Sequence, residues 1–192
     1  KAGIGYIRTG TNGFVFRNAH KPGFTDRVRS LADKLTGTPL RNFWISIDSA
    51  VPGVHEHMRG FDGVIAGIEQ ALPIFHDSGL YPSANLGINR NIAGEATRRL
   101  QRSAFDNEGD YLEAFHAAYR QGFEAFYKTI IGLGFTMVNT CYPMSIDADD
   151  QADGLEPVYA ATAVDDVVRF GTREKAILFK ALLETIPRFR SQ

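Results

Sequence analysis

Cysteine is almost absent from this chain: Cys141 stands alone in 192 residues. A lone thiol excludes an internal disulfide, and by itself it holds neither a zinc site nor an iron–sulfur cluster, each of which needs several ligands. The expectation is a small, buried, apolar side chain. No apolar run approaches the ~20 residues that a membrane-spanning helix needs. The first residues also lack a secretory signal pattern, so no membrane partner is expected and the cytoplasm is the expected compartment. Nor does one sign of charge dominate. The 21 Lys and Arg against 22 Asp and Glu leave a net charge of −1 without a long run of either sign, so the footprint of a nucleic-acid partner is missing. The nearest approach to a basic cluster, Arg98, Arg99 and Arg102, reads as a solvated helix face. Gly3 and Gly5 lack the third glycine of a dinucleotide fingerprint. The acidic stretch 147–153 fails as a calcium loop, because Gln151 and Ala160 occupy ligand positions, and it reads as a solvated loop.

What is present is alternation of strand and helix patterns. With 44% hydrophobic residues the chain can bury one substantial core, and its length favours one domain. Strands are expected at residues 3–9, 43–48, 84–90 and 135–141. Thr25 is expected to cap a helix with the stripe Val28, Leu31, Ala32 and Leu35, stopped by Gly37 and Pro39. A second stripe, Val64, Ile65, Ile68, Leu72 and Phe75, contains Pro73, which should kink or divide it. Residues 92–105 read as helical. Tyr111 to Leu133 carries a long aromatic and aliphatic stripe ended by Gly134, which is core packing rather than a stacking platform. Residues 157–162 read as a short extended piece, and Asp165-Asp166 as the start of one helical turn. Thr172 is expected to cap a last helix with Ala176, Ile177, Phe179, Leu183 and Ile186, ended by Pro187. Four such units imply a parallel α/β sheet with right-handed crossovers. An eightfold barrel takes about 250 residues, so the expected fold is a partial (β/α) barrel of about four parallel strand–helix units, or an open sheet.

Two strands carry polar residues on one parity. Phe43, Ile45 and Ile47 alternate with Trp44, Ser46 and Asp48; Ala84, Leu86 and Ile88 alternate with Asn85, Gly87 and Asn89. Strands covered on both faces read as unbroken apolar runs, so the pattern points to a wet interior near the strands' C-terminal ends. An aspartate there needs partners, either a ligand or its own loop. Pro52-Gly53 reads as a loop that gathers His55, Glu56, His57 and Arg59 before Gly60-Phe61-Asp62 opens a helix.

The order Thr11-Asn12-Gly13, then Ser46-x-Asp48, then Arg59-Gly60 before a helix resembles the third to sixth strand–helix units of the radical S-adenosylmethionine (radical SAM) enzymes. The resemblance implies a single partial radical SAM barrel domain over residues 1–192, N-terminally truncated. In that family a [4Fe-4S] cluster held by a Cys-x-x-x-Cys-x-x-Cys loop cleaves S-adenosylmethionine to a 5′-deoxyadenosyl radical, while the protein positions the reactants. The cysteine loop and the family's Gly-Gly-Glu segment are missing from this chain. The expectation is therefore a piece of a longer protein that is inactive alone, its first partner being the N-terminal part of the same domain. Carried over residue by residue, Ser46 and Asp48 match positions on the ribose side of the nucleoside. Thr11 and Asn12 match the turn facing the cofactor, and Asn89 or Arg90 matches a polar residue touching ribose or carboxylate. Arg59 reads as a loop organiser. No catalytic residue or metal ligand is assigned, and the substrate, small molecule or peptide, is not legible. Two other classes stay open: a non-catalytic nucleoside-binding or scaffold module, and a metal-dependent barrel hydrolase using His55 and His57.

Overall fold

The computed structural model describes residues 3–141 and 166–190. The expectations placed on residues 147–153 and 157–162 lie outside the described residues. Four strands form one sheet in sequence order: β1 (Ile7–Thr11), β2 (Leu40–Ser46), β3 (Ser83–Gly87) and β4 (Met137–Cys141). β1 pairs with β2, and β2 with β3, both parallel. The class is therefore α/β with sequential strands, as the alternation of patterns requires. Register sets Gly10 beside Trp44, Thr11 beside Ile45 and Ser46 beside Asn85. β2 and β3 end two to three residues before their patterns do, although the Ile47 N–H still donates to the Asn85 carbonyl at 3.0 Å. Cys141, expected inside the core, is exposed, because it is the last residue of β4, a strand covered only over its middle.

The chain divides into two compact units. The first comprises residues up to 48, 52–86 and 128–140; the second comprises 49–51, 87–127 and the described residues from 141 onward. In the first, α1 (Phe24–Thr36) starts from Gly23, whose φ of 80° places it in the left-handed region. Thr25 thus lies within the first turn and is not the cap, since the buried Phe24 already belongs to the helix. α2 (Pro52–Arg59) replaces the expected Pro-Gly loop. Proline is compatible with a first turn, where the missing N–H would have no partner anyway. α3 (Val64–Asp77) runs through Pro73 undivided, burying Val64, Ile65, Ile68, Leu72 and Phe75. Phe75 meets Phe43 of β2 and Phe16 of the turn after β1, with ring centroids 5.7 and 5.9 Å apart. α3 approaches that turn at Gly67, where a Cβ would stand 1.8 Å from the Phe16 carbonyl oxygen.

In the second unit, the helix expected over 92–105 is broken into α4 (Glu95–Arg98) and a 3₁₀ turn at Arg102–Ala104. Gly94 (φ 61°, ψ −133°) and Gln101 (φ −119°, ψ 136°) take non-helical backbone. α5 (Glu108–Leu133) begins at Asn107, whose Oδ1 accepts the Asp110 N–H at 2.9 Å. Its residues Tyr111, Phe115, Tyr119 and Phe123 are buried at four-residue spacing, and Phe170 packs edge-on against Phe115 and Tyr119. α6 (Thr172–Thr185) starts from Gly171, with Thr172 its first residue rather than its cap. It buries Leu178, Ala181, Leu182 and Thr185, while Phe179 and Leu183 of the expected stripe are exposed. This helix is apolar on more than one side, so its periodicity admits two inward faces.

Gly67→Ala is expected to lower stability by about 1–3 kcal/mol or more, because backbone rather than a movable side chain blocks the methyl. Gly53→Ala, in an open stretch of α2, should range from neutral to about 1 kcal/mol stabilising. Urea melts of both variants check this; a Gly67→Ala midpoint equal to the parent's would refute the close approach.

Candidate functional site

In the first unit, β2 separates its two faces as its sequence demands. Phe43, Ile45 and Ile47 are 5%, 0% and 0% exposed, while Trp44, Ser46 and Asp48 remain partly accessible. Parallel register partners point to one side, so Ser46 and Asn85 lie together on the polar face. Trp44 lies across Gly10, where a Cβ would come within 2.2 Å of the indole; glycine at that position is what lets the ring settle on the sheet. Nearby, the Asn139 amide donates to the Ser83 hydroxyl at 3.0 Å.

Asp48 lies just past the end of β2 and is held from α2. Arg59 donates through Nη2 to Oδ1 at 2.7 Å, and its Nε stands 2.6 Å from Oδ2 without hydrogen-bond geometry, so one charge-assisted hydrogen bond and one close charge contact join the pair. His55, one helical turn earlier on the same face, is fully buried. Its Nδ1 accepts the Asp48 backbone N–H at 3.1 Å, so in the neutral ring Nε2 carries the proton, and that atom is buried without a hydrogen-bond partner among the described residues. Glu56 instead accepts the Ile65 N–H at 3.0 Å in the first turn of α3, and His57 is exposed. The polar run expected to crowd a loop is thus sorted by helical geometry. His55 and His57, two apart on a helix, do not share a face on which to hold one metal ion, and no metal-binding group of three is found among the described residues. Arg59 clamps the carboxylate, a more specific task than organising a loop. Reading Pro52 as the first residue of a helix would have revealed the His55–Arg59 spacing.

The other sequence-predicted site residues have local duties. Thr11 shares the face of Ile45, and its hydroxyl accepts the Gly13 N–H at 3.1 Å. Asn12 Oδ1 accepts the Phe14 N–H at 3.1 Å. Both build the turn after β1. Asn89 and Arg90 belong to the second unit. Buried Asn89 donates to the Gly87 carbonyl at 2.8 Å and accepts the Asn91 N–H at 2.7 Å. Arg90 donates through Nη2 to both carboxylate oxygens of Glu174, at 2.9 and 3.0 Å, and through Nε to the Arg169 carbonyl at 3.1 Å. Its guanidinium also lies 4.6 Å from the Phe170 ring centroid. The Tyr111 hydroxyl donates to Glu174 as well. Burial, then the hydrogen bond and charge of Glu174, push the Tyr111 phenol up to about 12. Burial alone would lower the Arg90 value, but the hydrogen bond and charge of Glu174 outweigh it and the value is raised. No local sequence signal joins positions 90 and 174.

Arg59→Met should destabilise the protein by about 2–3 kcal/mol, since it leaves a partly buried carboxylate without its cation. The double variant Arg59→Met/Asp48→Asn should recover part of that loss. Denaturant melts measure both, and equal losses in the two would refute a charge pair. For Tyr111, whose folded value lies above its ordinary 10.0, the linked stability is fully present below pH 10 and is lost as pH rises through about 12. Tyr111→Phe should therefore flatten the decline of stability between those values; an unchanged slope in alkaline melts would contradict the assignment. In comparisons with known proteins, no family model matches the chain, and no curated protein shows significant similarity to it.

Proposed function

We propose that this chain is the C-terminal part of a radical SAM core domain, its strand–helix units belonging to a partial (β/α) barrel that walls the nucleoside side of an S-adenosylmethionine pocket. The observation that carries this reading is Asp48, a carboxylate immediately beyond β2, on a strand whose polar face sets Ser46 beside Asn85. Consecutive parallel strands with one apolar, helix-covered face support it, because in such folds ligand groups collect at the C-terminal ends of the strands.

The residues present do not fit the [4Fe-4S] cluster: one thiol, Cys141, cannot supply the three ligands. They do fit a nucleoside. The Ser46 hydroxyl and the Asn85 amide can donate and accept, the Asp48 carboxylate can accept from a ribose hydroxyl, and the Trp44 indole offers an apolar surface on the same face. In this reading the Arg59 clamp orients the carboxylate and restrains its rotation, and His55 fixes the backbone N–H beside it. Asp48 is then a binding residue, while Arg59 and His55 are positioning residues.

The test is S-adenosylmethionine binding by the longer protein that contains this segment. Asp48→Ala should weaken binding by roughly ten- to a hundredfold, the loss of a charge-assisted hydrogen bond, while leaving the cluster's absorption spectrum intact. Unaltered binding would remove Asp48 from the site, and absence of a three-cysteine loop from that protein would remove the family reading. The chain by itself, given iron, sulfide and reductant, should release no 5′-deoxyadenosine above a protein-free control.

A further inference from the structure

A second polar site lies wholly within the second unit and owes nothing to the reading above. A cleft of about 700 Å³ opens over the Arg90–Glu174–Tyr111 network, within the size range of small-molecule sites. Its walls carry Arg98 and Arg99 from the end of α4, Arg102 from the following 3₁₀ turn, and Arg169 from the segment before α6. With Arg90 these make, among the described residues, five arginines against two carboxylates, Glu95 and Glu174, a formal excess of three positive charges in a chain whose net charge is −1. The sorting of pairs sharpens the point. Arg90 is committed to Glu174, and Arg99 to Glu95 at 2.5 Å. Arg98, Arg102 and Arg169 have no ion-pair partner among the described residues. Arg98, Arg99 and Arg102, which read as one solvated face in the sequence, line this cleft together with Arg169, which is remote in the sequence.

We propose that this cleft binds a small organic anion through a phosphate or pyrophosphate group. Guanidinium groups match phosphate oxygens two at a time, and several converging on one concave surface raise the local anion concentration. The charge count selects the ligand class. A phosphoryl group brings about −1.5 to −2, so one or two of them balance the excess, whereas a single carboxylate leaves most of it uncompensated. Arg90 and Glu174 keep the floor in place, which leaves for the ligand Arg98, Arg169 and the donors of Arg102 other than the Nη1 that donates to the Phe105 carbonyl at 2.7 Å. A nucleic-acid strand is the poorer occupant, because the sequence carries no long basic run to extend the charge beyond the cleft.

The experiment is calorimetric titration of the 192-residue chain at low salt with inorganic pyrophosphate, inorganic phosphate and acetate, and with a DNA oligonucleotide. Saturable one-to-one binding of pyrophosphate is expected, with weaker binding of phosphate and none of acetate. Arg98→Ala and Arg169→Ala should each weaken pyrophosphate about tenfold, and the double variant should abolish the heat. Arg29→Ala in the first unit should leave it unchanged. These side chains are exposed, so folding is expected to survive, and circular dichroism checks it. No saturable pyrophosphate heat, undiminished binding in the folded double variant, or saturable binding of the oligonucleotide alone would overturn the proposal. Because Asp48 lies in the other unit, failure here leaves the radical SAM reading where it stands, and its failure leaves the cleft.

Discussion

The first unit depends on the burial of one face of β2. Phe43, Ile45 and Ile47 lose nearly all their exposure, and each apolar side chain so buried is worth roughly 1.5–3 kcal/mol. Period-two geometry then obliges Trp44, Ser46 and Asp48 to face the other way. Shifting the strand by a single residue would exchange the two sets, burying a carboxylate and exposing two isoleucines, so the register is strongly specified. The close approach of α3 at Gly67 and the ring contacts of Phe75 follow from the same demand for cover. Polar groups reach the opposite face as a consequence of packing, before any ligand is considered.

Asp48 shows how the fold handles a charge near its interior. The carboxylate and guanidinium are each mostly withdrawn from solvent, with side-chain exposures of 14% and 24%, a setting where an unpaired charge is costly. α2 supplies Arg59 for the charge and His55 for the backbone N–H, both from one face of an eight-residue helix. Burying His55 has its own cost, an Nε2 without a partner among the described residues. The second unit solves a similar problem by cross-linking distant sequence: Arg90 follows β3 by three residues and Glu174 sits in the first turn of α6, where it also accepts the Gly171 N–H at 2.7 Å. One glutamate thus serves an arginine, a tyrosine and a helix N-terminus.

Where the sequence misled, it did so through local rules with two outcomes. Pro-Gly marks a loop or opens a helix, and only the buried position of His55 distinguishes the two at Pro52. Thr25 and Thr172 have the chemistry of caps, yet glycines one or two residues earlier start both helices. Ile92 to Phe105 contains enough alanine and leucine for a helix, but non-helical backbone at Gly94 and Gln101 divides it. The apolar residues of α6 support more than one inward face, and the one chosen follows packing rather than period.

By itself, the sequence determined the class of fold, the order and direction of strands, and the division of β2 and β3 into apolar and polar faces. These follow from periodicity, which is a property of neighbours along the chain. Tertiary structure alone decided which charges meet. Arg59 reaches Asp48 only because α2 forms and returns over the strand end. Arg90 reaches Glu174 across 84 positions, and Arg169 comes to line one hollow with Arg98 and Arg102. Pairings of that kind depend on distance in space, which no local pattern encodes.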